Sequence, residues 1–567
     1  MLGFLTPVGR NEKLLVDATA ADRFWQSLPR SDAVGAAKQL VDALSDLGAD
    51  GSLTVDALRA LLLLDQRAHC LFEALLPLPW DDFRDGRDSL LERRHLHAAF
   101  DLAQTFAQTY VQSLRQVRSG ASRWREYAPR AVIGLLRNSQ IDLLLRPFVT
   151  GQHAGFSWTV LHDAYRLVEG LRAVETPVHG GDEHRLGARL EHEYIHTLLL
   201  DWINSGQFSP LEAFWINDRV ARWSAALTLV PGPDSALVPL GEDAFAVDLD
   251  GDEGLRRMSP RPTGTLRLLD PAPLLALIDR EIASLRDGSA GARGPEALGR
   301  SRRLKVLLKL ALLCAPKPPR ITRRGERRAV AMPVQAVRGF MPIARALRHG
   351  LRQESPAGDA GMPQVEEITI TVYGGYTEGP NAPEGGDGNA RALRSRGDAA
   401  PTHDVWQLKD RSESGCRLQG QVADCRTVVP GSLIAIRANE SAPWSLVMVR
   451  RLKRLVGTHV DLGVEYVGQD PRLVALEVAD AAGSVAAGPG QPHRFAALYL
   501  PECQTQPQMP IKTLLVPARE VRGDAKLVLR TANAVYTIRL KAPLDEQGEF
   551  VWVPFEIVGQ QGLEQAA

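Results

Sequence analysis

The chain has 567 residues, and its 67 Lys+Arg balance 67 Asp+Glu, so the formal net charge is zero. That excludes a globally basic nucleic-acid coat and a globally acidic tail protein, and confines any polyanion site to a local basic patch. At 44% hydrophobic and 24% charged residues, the composition is that of an ordinary globular chain long enough for several domains.

The first stretch, MLGFLTPVGRNEKLLVDATAADRF, carries acids early and has no long apolar core, so it does not read as a secretory leader. No run approaches the ~20 apolar residues that span a bilayer. Cys70, Cys314, Cys416, Cys425 and Cys503 are odd in number, scattered and without a C-x-x-C pair. They point to a reducing compartment and away from a cysteine zinc site. The expectation is a cytoplasmic protein.

Residues 1–315 read as an α-helical domain. Ser89-Leu90-Leu91-Glu92 fits a capping box. Behind it Leu96, Phe100, Ala103, Phe106, Tyr110, Leu114 and Val117 recur at steps of three and four, which predicts one face of a long helix. Similar spacing marks 34–48, 53–76, 122–148, 157–174, 185–205, 209–229, 271–287 and 295–314. A Gly/Pro-rich stretch at 231–270 holds short β-like pieces, among them Ala244-Phe245-Ala246-Val247. No fixed period recurs, so a solenoid is not indicated.

One motif in this half competes for attention. His192-Glu193-Tyr194-Ile195-His196 matches H-E-x-x-H, which on a helix puts two imidazoles one turn apart, able to hold zinc with Glu193 as general base. Glu212, on the next predicted helix, is the nearest third ligand. The pattern is short, its neighbours Leu190, Leu198 and Leu199 fit an ordinary packing face, and no downstream glycine–histidine extension follows. No P-loop, dinucleotide fingerprint or G-x-S-x-G is present either. The histidines read as bundle residues, the chain as a non-enzyme with no metal or cofactor, and the zinc hydrolase as an outlying alternative.

The pattern changes at Pro316-Lys317-Pro318-Pro319, which stops a helix. Short β-type runs bounded by turn residues follow at 330–337, 368–373, 433–436, 446–449, 462–467, 514–516, 527–529, 535–540 and 550–558. They predict antiparallel barrel or sandwich architecture. The expected organisation is multidomain α + β. A helical domain of unknown role (1–315) precedes a β-barrel (316–480) with a long insertion at 340–402. A linker (481–492) and a small additional β module (493–567) complete it. The insertion holds a predicted helix, Phe340 to Leu351, and a segment, Gly374 to Thr402, rich in Gly, Pro, Asn and Asp.

Two features carry chemistry. Arg320, Arg323, Arg324, Arg327 and Arg328 crowd into nine residues just before the first β run. Such guanidiniums repel unless an anion neutralises them, and each is a planar fork that grips a phosphate or the edge of a guanine. The plain alternative is a solvated basic linker. The second feature is Asp410-Arg411-Ser412-Glu413-Ser414-Gly415. At a strand end, Asp410 and Ser412 share a face, where a carboxylate can accept from guanine N–H groups and a hydroxyl can reach a phosphate. Its plain alternative is a polar turn.

Together the two features resemble the PilZ domain, the bacterial receptor module for cyclic di-GMP. That family has RxxxR, often RRxxxR, leading into a six-stranded barrel, then D/N-x-S-x-x-G on a strand. Arg323-Arg324-Gly325-Glu326-Arg327-Arg328 and Asp410-x-Ser412-x-x-Gly415 match both. Pro430 to Ile436, Trp444 to Arg450 and Leu462-Gly463-Val464-Glu465-Tyr466 resemble the strands that follow, the last of them the closing strand. The resemblance covers about 316–475. It implies ligand-binding roles for Arg323, Arg324, Arg328, Asp410, Ser412 and Gly415. Arg320/Arg324 and Arg323/Arg327 share the RxxxR spacing, and Arg324/Arg328 is favoured because the strand follows at once. Arg328 and Asp410 stand 82 positions apart, more than the family's short spacing, which the insertion accounts for.

The resemblance implies cyclic di-GMP as ligand, a protein partner engaged through the helical domain, and no nucleic-acid polymer. Ligand binding would order the arginine segment and change the interdomain arrangement to regulate that partner. The alternative is a PilZ-like interaction module that has lost nucleotide binding.

Overall fold

The three-and-four spacing behind Arg93 becomes a long helix, with Leu96, Phe100, Ala103, Phe106, Tyr110 and Leu114 on its buried face. The fold is known from a computed structural model that describes residues 15–29, 31–49, 53–76, 93–118, 122–149, 157–177, 189–203, 207–232, 245–257, 265–287, 295–315, 327–354, 403–421, 428–454, 459–478, 494–501, 512–520, 526–530, 534–547 and 549–562. The chain divides into two units. One comprises Met1–Trp80, Ser89–Ser284 and Val306–Arg320, and the other Asp81–Asp88, Leu285–Lys305 and Ile321–Ala567. The architecture is multidomain α + β, helices first and barrel strands after.

The helices are α1 (Ala18–Ser27), α2 (Ala33–Ala49), α3 (Val55–Leu75), α4 (Arg93–Arg118), α5 (Ser122–Arg125), α6 (Ala128–Val149), α7 (Trp158–Gly170), α8 (Leu190–Ile203), α9 (Pro210–Trp223), α10 (Ala272–Asp287) and α11 (Pro295–Cys314). Their starts follow capping chemistry. Asp17 accepts from the Ala20 N–H and Thr54 from the Ala57 N–H, while Ser209 and Glu212 form a reciprocal capping box with Pro210 at the first helical position. The Ser89–Glu92 box lies outside the described residues.

Helix α6 is buried on almost every side and packs against α4, α7 and α8. Gly134 makes its approach to α4 possible, since a Cβ there would sit 2.3 Å from Tyr110 Cζ. The β-like pieces of 231–270 are real. Strands β1 (Leu229–Pro231), β2 (Phe245–Asp248), β3 (Arg256–Arg257) and β4 (Leu266–Leu269) form a small antiparallel sheet, in the order β1-β4-β2-β3. No helix among the described residues is long and apolar enough to cross a membrane.

In the second unit, β5 (Arg328–Arg338), β6 (Asp404–Arg411), β7 (Gly415–Gln421), β8 (Leu433–Arg437), β9 (Ser445–Arg454) and β10 (His459–Gln469) close an antiparallel barrel, in the order β10-β7-β6-β5-β8-β9. Strand alternation explains the core. Trp406 and Leu408, Cys416 and Leu418, Ile434 and Ile436, and Val460 through Tyr466 at every second residue all point inward. The odd residues of β8, Leu433 and Ala435, face outward into a second apolar layer. That layer is completed by α12 (Phe340–Glu354), the start of the expected insertion. The remainder of the insertion, including the run at 368–373, lies outside the described residues.

A further sheet follows: β11 (Arg472–Val478), β12 (Arg494–Leu500), β13 (Thr513–Pro517), β14 (Lys526–Arg530), β15 (Ala534–Leu540), β16 (Asp545–Glu546) and β17 (Phe550–Gly562). By pairing, β11 belongs here, between β12 and β14. The strands therefore divide at Asp470, which takes a positive φ of 49° between β10 and β11.

Candidate functional site

The local structure around Arg328 is set by irregular pairing. Arg328 stands opposite Arg411, and Ala329 opposite Asp410. Between Ala329 and Met332 two residues of β5 face a single residue of β6, which is a β-bulge. The β6–β7 register shifts at the same point, between Leu408 and Asp410. The strand ends are thereby re-aimed, and the last residues of β6 leave the inward/outward rhythm of Trp406 and Leu408.

The turn that follows is built from its own side chains. The Ser412 backbone N–H donates to the Gly415 carbonyl at 2.8 Å, and its hydroxyl donates to the same oxygen at 3.0 Å. The Ser414 carbonyl accepts from the Tyr466 N–H at 3.0 Å, tying the turn to β10. Gly415 passes so close to that strand that a Cβ would lie 2.2 Å from the Val464 carbonyl oxygen. Serine and glycine at this spacing thus serve the turn, whatever else they do. The serine hydroxyl keeps its lone pairs for a donor.

Charge gathers around this turn. Arg327 Nη1 lies 3.1 Å from Asp410 Oδ1 and donates to Oδ2 at 3.3 Å. Asp410 is largely covered, while Arg327 and Arg328 are exposed. The Arg411 guanidinium lies over the Tyr466 ring, 5.7 Å from its centroid. One strand further on, Arg417 grips Asp461 through two hydrogen bonds, Nε to Oδ1 at 2.8 Å and Nη2 to Oδ2. Cys416, beneath the turn, is no activated nucleophile, because burial pushes its thiol up to about 11. The assembled chemistry is that of recognition. Guanidiniums can hold an anion, and a carboxylate and a hydroxyl can read a polar edge.

Of the residues predicted for this site, Arg328, Asp410, Ser412 and Gly415 come together at one end of the barrel. Arg323 and Arg324 lie outside the described residues. Arg327, Arg411, Arg417 and Tyr466 are additional. Arg327 shares the RxxxR spacing with Arg323, Arg411 lies inside the second motif and Arg417 two residues past it, so the sequence marked their neighbourhood but not their contacts.

The H-E-x-x-H residues sit on α8, which is buried nearly all round. His192 Nδ1 accepts from the Arg189 N–H, His196 Nε2 meets Asn217 Oδ1 at 3.0 Å, and Glu193 accepts from Arg137 and Gln140. Glu212 accepts from the Ser209 N–H at the start of α9. Among the described residues, no three His, Cys, Asp or Glu side chains form a group that could hold a metal.

Residues 19–234, from α1 to just past β1, match the family model described as "Cyclic-di-GMP receptor FimW, N-terminal domain". The match falls in the helical part, while the resemblance read from motifs falls in the barrel. No curated protein and no solved structure matches the chain significantly.

Proposed function

We propose that the protein is a cytoplasmic, non-enzymatic receptor for cyclic di-GMP whose nucleotide site is the PilZ-like end of the first barrel. The reading is carried by one juxtaposition: Arg327 and Arg328 lie across β5 and β6 from Asp410 at the turn closed by Ser412 and Gly415. The family match over residues 19–234 supports it independently.

In this reading Arg323, Arg324 and Arg328 grip the two phosphates and the guanine faces. Asp410 accepts from guanine N–H groups, Ser412 offers its hydroxyl, and Gly415 keeps the turn tight against β10. The ligand neutralises a mutually repelling cluster, and the ordered segment alters the arrangement of the helical unit that precedes it, and through that a protein partner.

A second reading, an interaction module that no longer binds nucleotide, is favoured by the way the Ser412 hydroxyl already donates to the Gly415 carbonyl and the Asp410 carboxylate already faces Arg327, although Asp410 Oδ1 accepts no hydrogen bond among the described residues. Titration calorimetry of the full chain with cyclic di-GMP separates the two. Saturable binding is expected. Arg324→Ala and Arg328→Ala should each weaken it roughly tenfold or more, since a hydrogen bond to a charged group contributes about 1.5–3 kcal/mol. No binding by the intact chain would leave the second reading standing. Metal analysis addresses the hydrolase alternative, for which stoichiometric zinc would be required.

A further inference from the structure

The C-terminal sheet does more than extend the barrel. Its order is β13-β12-β11-β14-β15-β17-β16, and β13 also pairs with β17. That pairing closes six strands into a ring, with β16 added outside the ring. Number the ring strands one to six in chain order: β11, β12, β13, β14, β15, β17. Going round, the order is one, four, five, six, three, two. The first barrel, numbered the same way from β5 to β10, gives one, four, five, six, three, two as well. Every pairing in both rings is antiparallel. Each ring has its own apolar interior.

We infer that residues 471–562 are a second copy of the same barrel, one without a nucleotide edge, fixed as a brace on the outer face of the first. Deepening the reading above and resting on it, this gives the chain a single nucleotide site. The chemistry at the equivalent edge is missing. Strand one of the first ring follows four arginines and begins with a fifth, all within nine residues, whereas strand one of the second follows Gln469-Asp470-Pro471 and has Arg472 alone at its start. Strands two and three of the first ring are joined by Ser412-Glu413-Ser414. In the second they are joined by PECQTQPQMPIK, which holds no Asp, Ser or Gly.

The brace is built from apolar residues of both rings. Leu433, Ala435, Leu446 and Met448 from the outer face of β8 and β9 share one buried cluster with Leu498 and Trp552 of the second ring, and α12 contributes Phe340 and Ile343. Strand β8 is buried on both faces for this reason, which a barrel strand facing solvent would not be.

The test uses the full chain and has two arms. In the first, cyclic di-GMP is titrated into the wild type, an Arg328→Ala/Asp410→Ala double variant and Arg472→Ala. The expected result is one saturable site per chain, weakened at least tenfold in the double variant and unchanged in Arg472→Ala. A second site that survives the double variant and falls with Arg472→Ala would overturn the inference. The second arm needs no ligand. Hydrogen exchange of Leu498→Ala should show lost protection in β8 and β9 of the first ring as well as in β12, and the milder Leu433→Val should raise exchange in β12. Unchanged protection across the seam in both variants would overturn the brace. A wild type that binds no cyclic di-GMP defeats the receptor reading, while the exchange arm still decides this one.

Discussion

The helical unit and the barrel unit hide polar groups with different mixtures of partners. In the helical unit ion pairs such as Asp142 with Arg146 and Glu193 with Arg137 are joined by buried neutral groups. Asn138 donates to Asp65 and to the Gly134 carbonyl, Tyr110 donates to Asp65 at 2.8 Å, and Gln140 reaches both Glu193 and Thr197. His162, fully buried, has Nε2 against the Glu253 carbonyl, which can only accept, so Nε2 carries a proton, and Nδ1 meets the Tyr194 hydroxyl at 2.6 Å. In the barrel unit the covered carboxylates face cations. Asp461 takes Arg417, and Asp545 takes Arg450 and Lys305. The difference teaches that the helical unit adds neutral hydrogen-bond geometry to its ion pairs, where the barrel unit leans on paired charge. The two should respond differently to pH.

The largest effects should come from the apolar cores and should not distinguish the units. Phe106→Ala in α4 and Trp406→Ala in the barrel each remove a side chain that is 0% exposed. Each should cost about 3–5 kcal/mol, read by denaturant unfolding. A cost below about 1 kcal/mol in either would show that its core collapses freely.

Next come the two glycines at close approaches. Gly134→Val puts atoms onto Tyr110 and Gly415→Val onto the β10 backbone. Overpacking should cost about 1–3 kcal/mol. The barrel variant should be the worse, because a backbone carbonyl cannot rotate away as a side chain can.

The pH experiments sharpen the comparison. Burial pushes Asp545 up, but Lys305 and Arg450 outweigh it and hold the carboxyl below its usual value. A depressed folded pKa means stability that is present above the ordinary carboxylate range, about 4, and lost as the pH falls through the lower folded value. Asp545→Asn should destabilise the barrel unit by about 3 kcal/mol at neutral pH and flatten its loss of stability in acid.

The smallest effect belongs to the helical unit. Burial lowers the His162 pKa, and His192 is lowered for the same reason. The unfolded chain therefore binds protons first, and stability should fall as the pH drops from about 6.5 toward 5. His162→Gln should reduce that slope in circular-dichroism melts across the window. A slope unchanged by the variant would assign it elsewhere.

Much of the barrel was legible because β8 and β9 are buried on both faces and read as continuous apolar runs, Leu433 to Ile436 and Leu446 to Val449. Strand β7 was not. Gly415 to Gln421 offers only Cys416 and Leu418 to the interior, too few to mark a period. Strand β11 is recognisable as a strand only through partners that arrive later in the chain, β12 and β14. Without them the second ring reads as a small appendage starting at 493. At the site, the motifs identified Asp410, Ser412 and Gly415. They could not reveal that Ser412 closes its own turn or that Arg327 is the arginine paired with Asp410, since both depend on the bulge opposite Lys409.

The long excursion between β5 and β6 bears on how the molecule is made. Arg328 pairs with Arg411, and Gln335 with Arg437 about a hundred residues on. On a ribosome the first strand must wait with both of its hydrogen-bonding edges unpaired, one until β6 and the other until β8 has been synthesised. Such distant contacts make barrel closure slow beside the local turns of the helices. Meanwhile α12, which directly follows the waiting strand, can form early and shield its apolar end from other nascent chains.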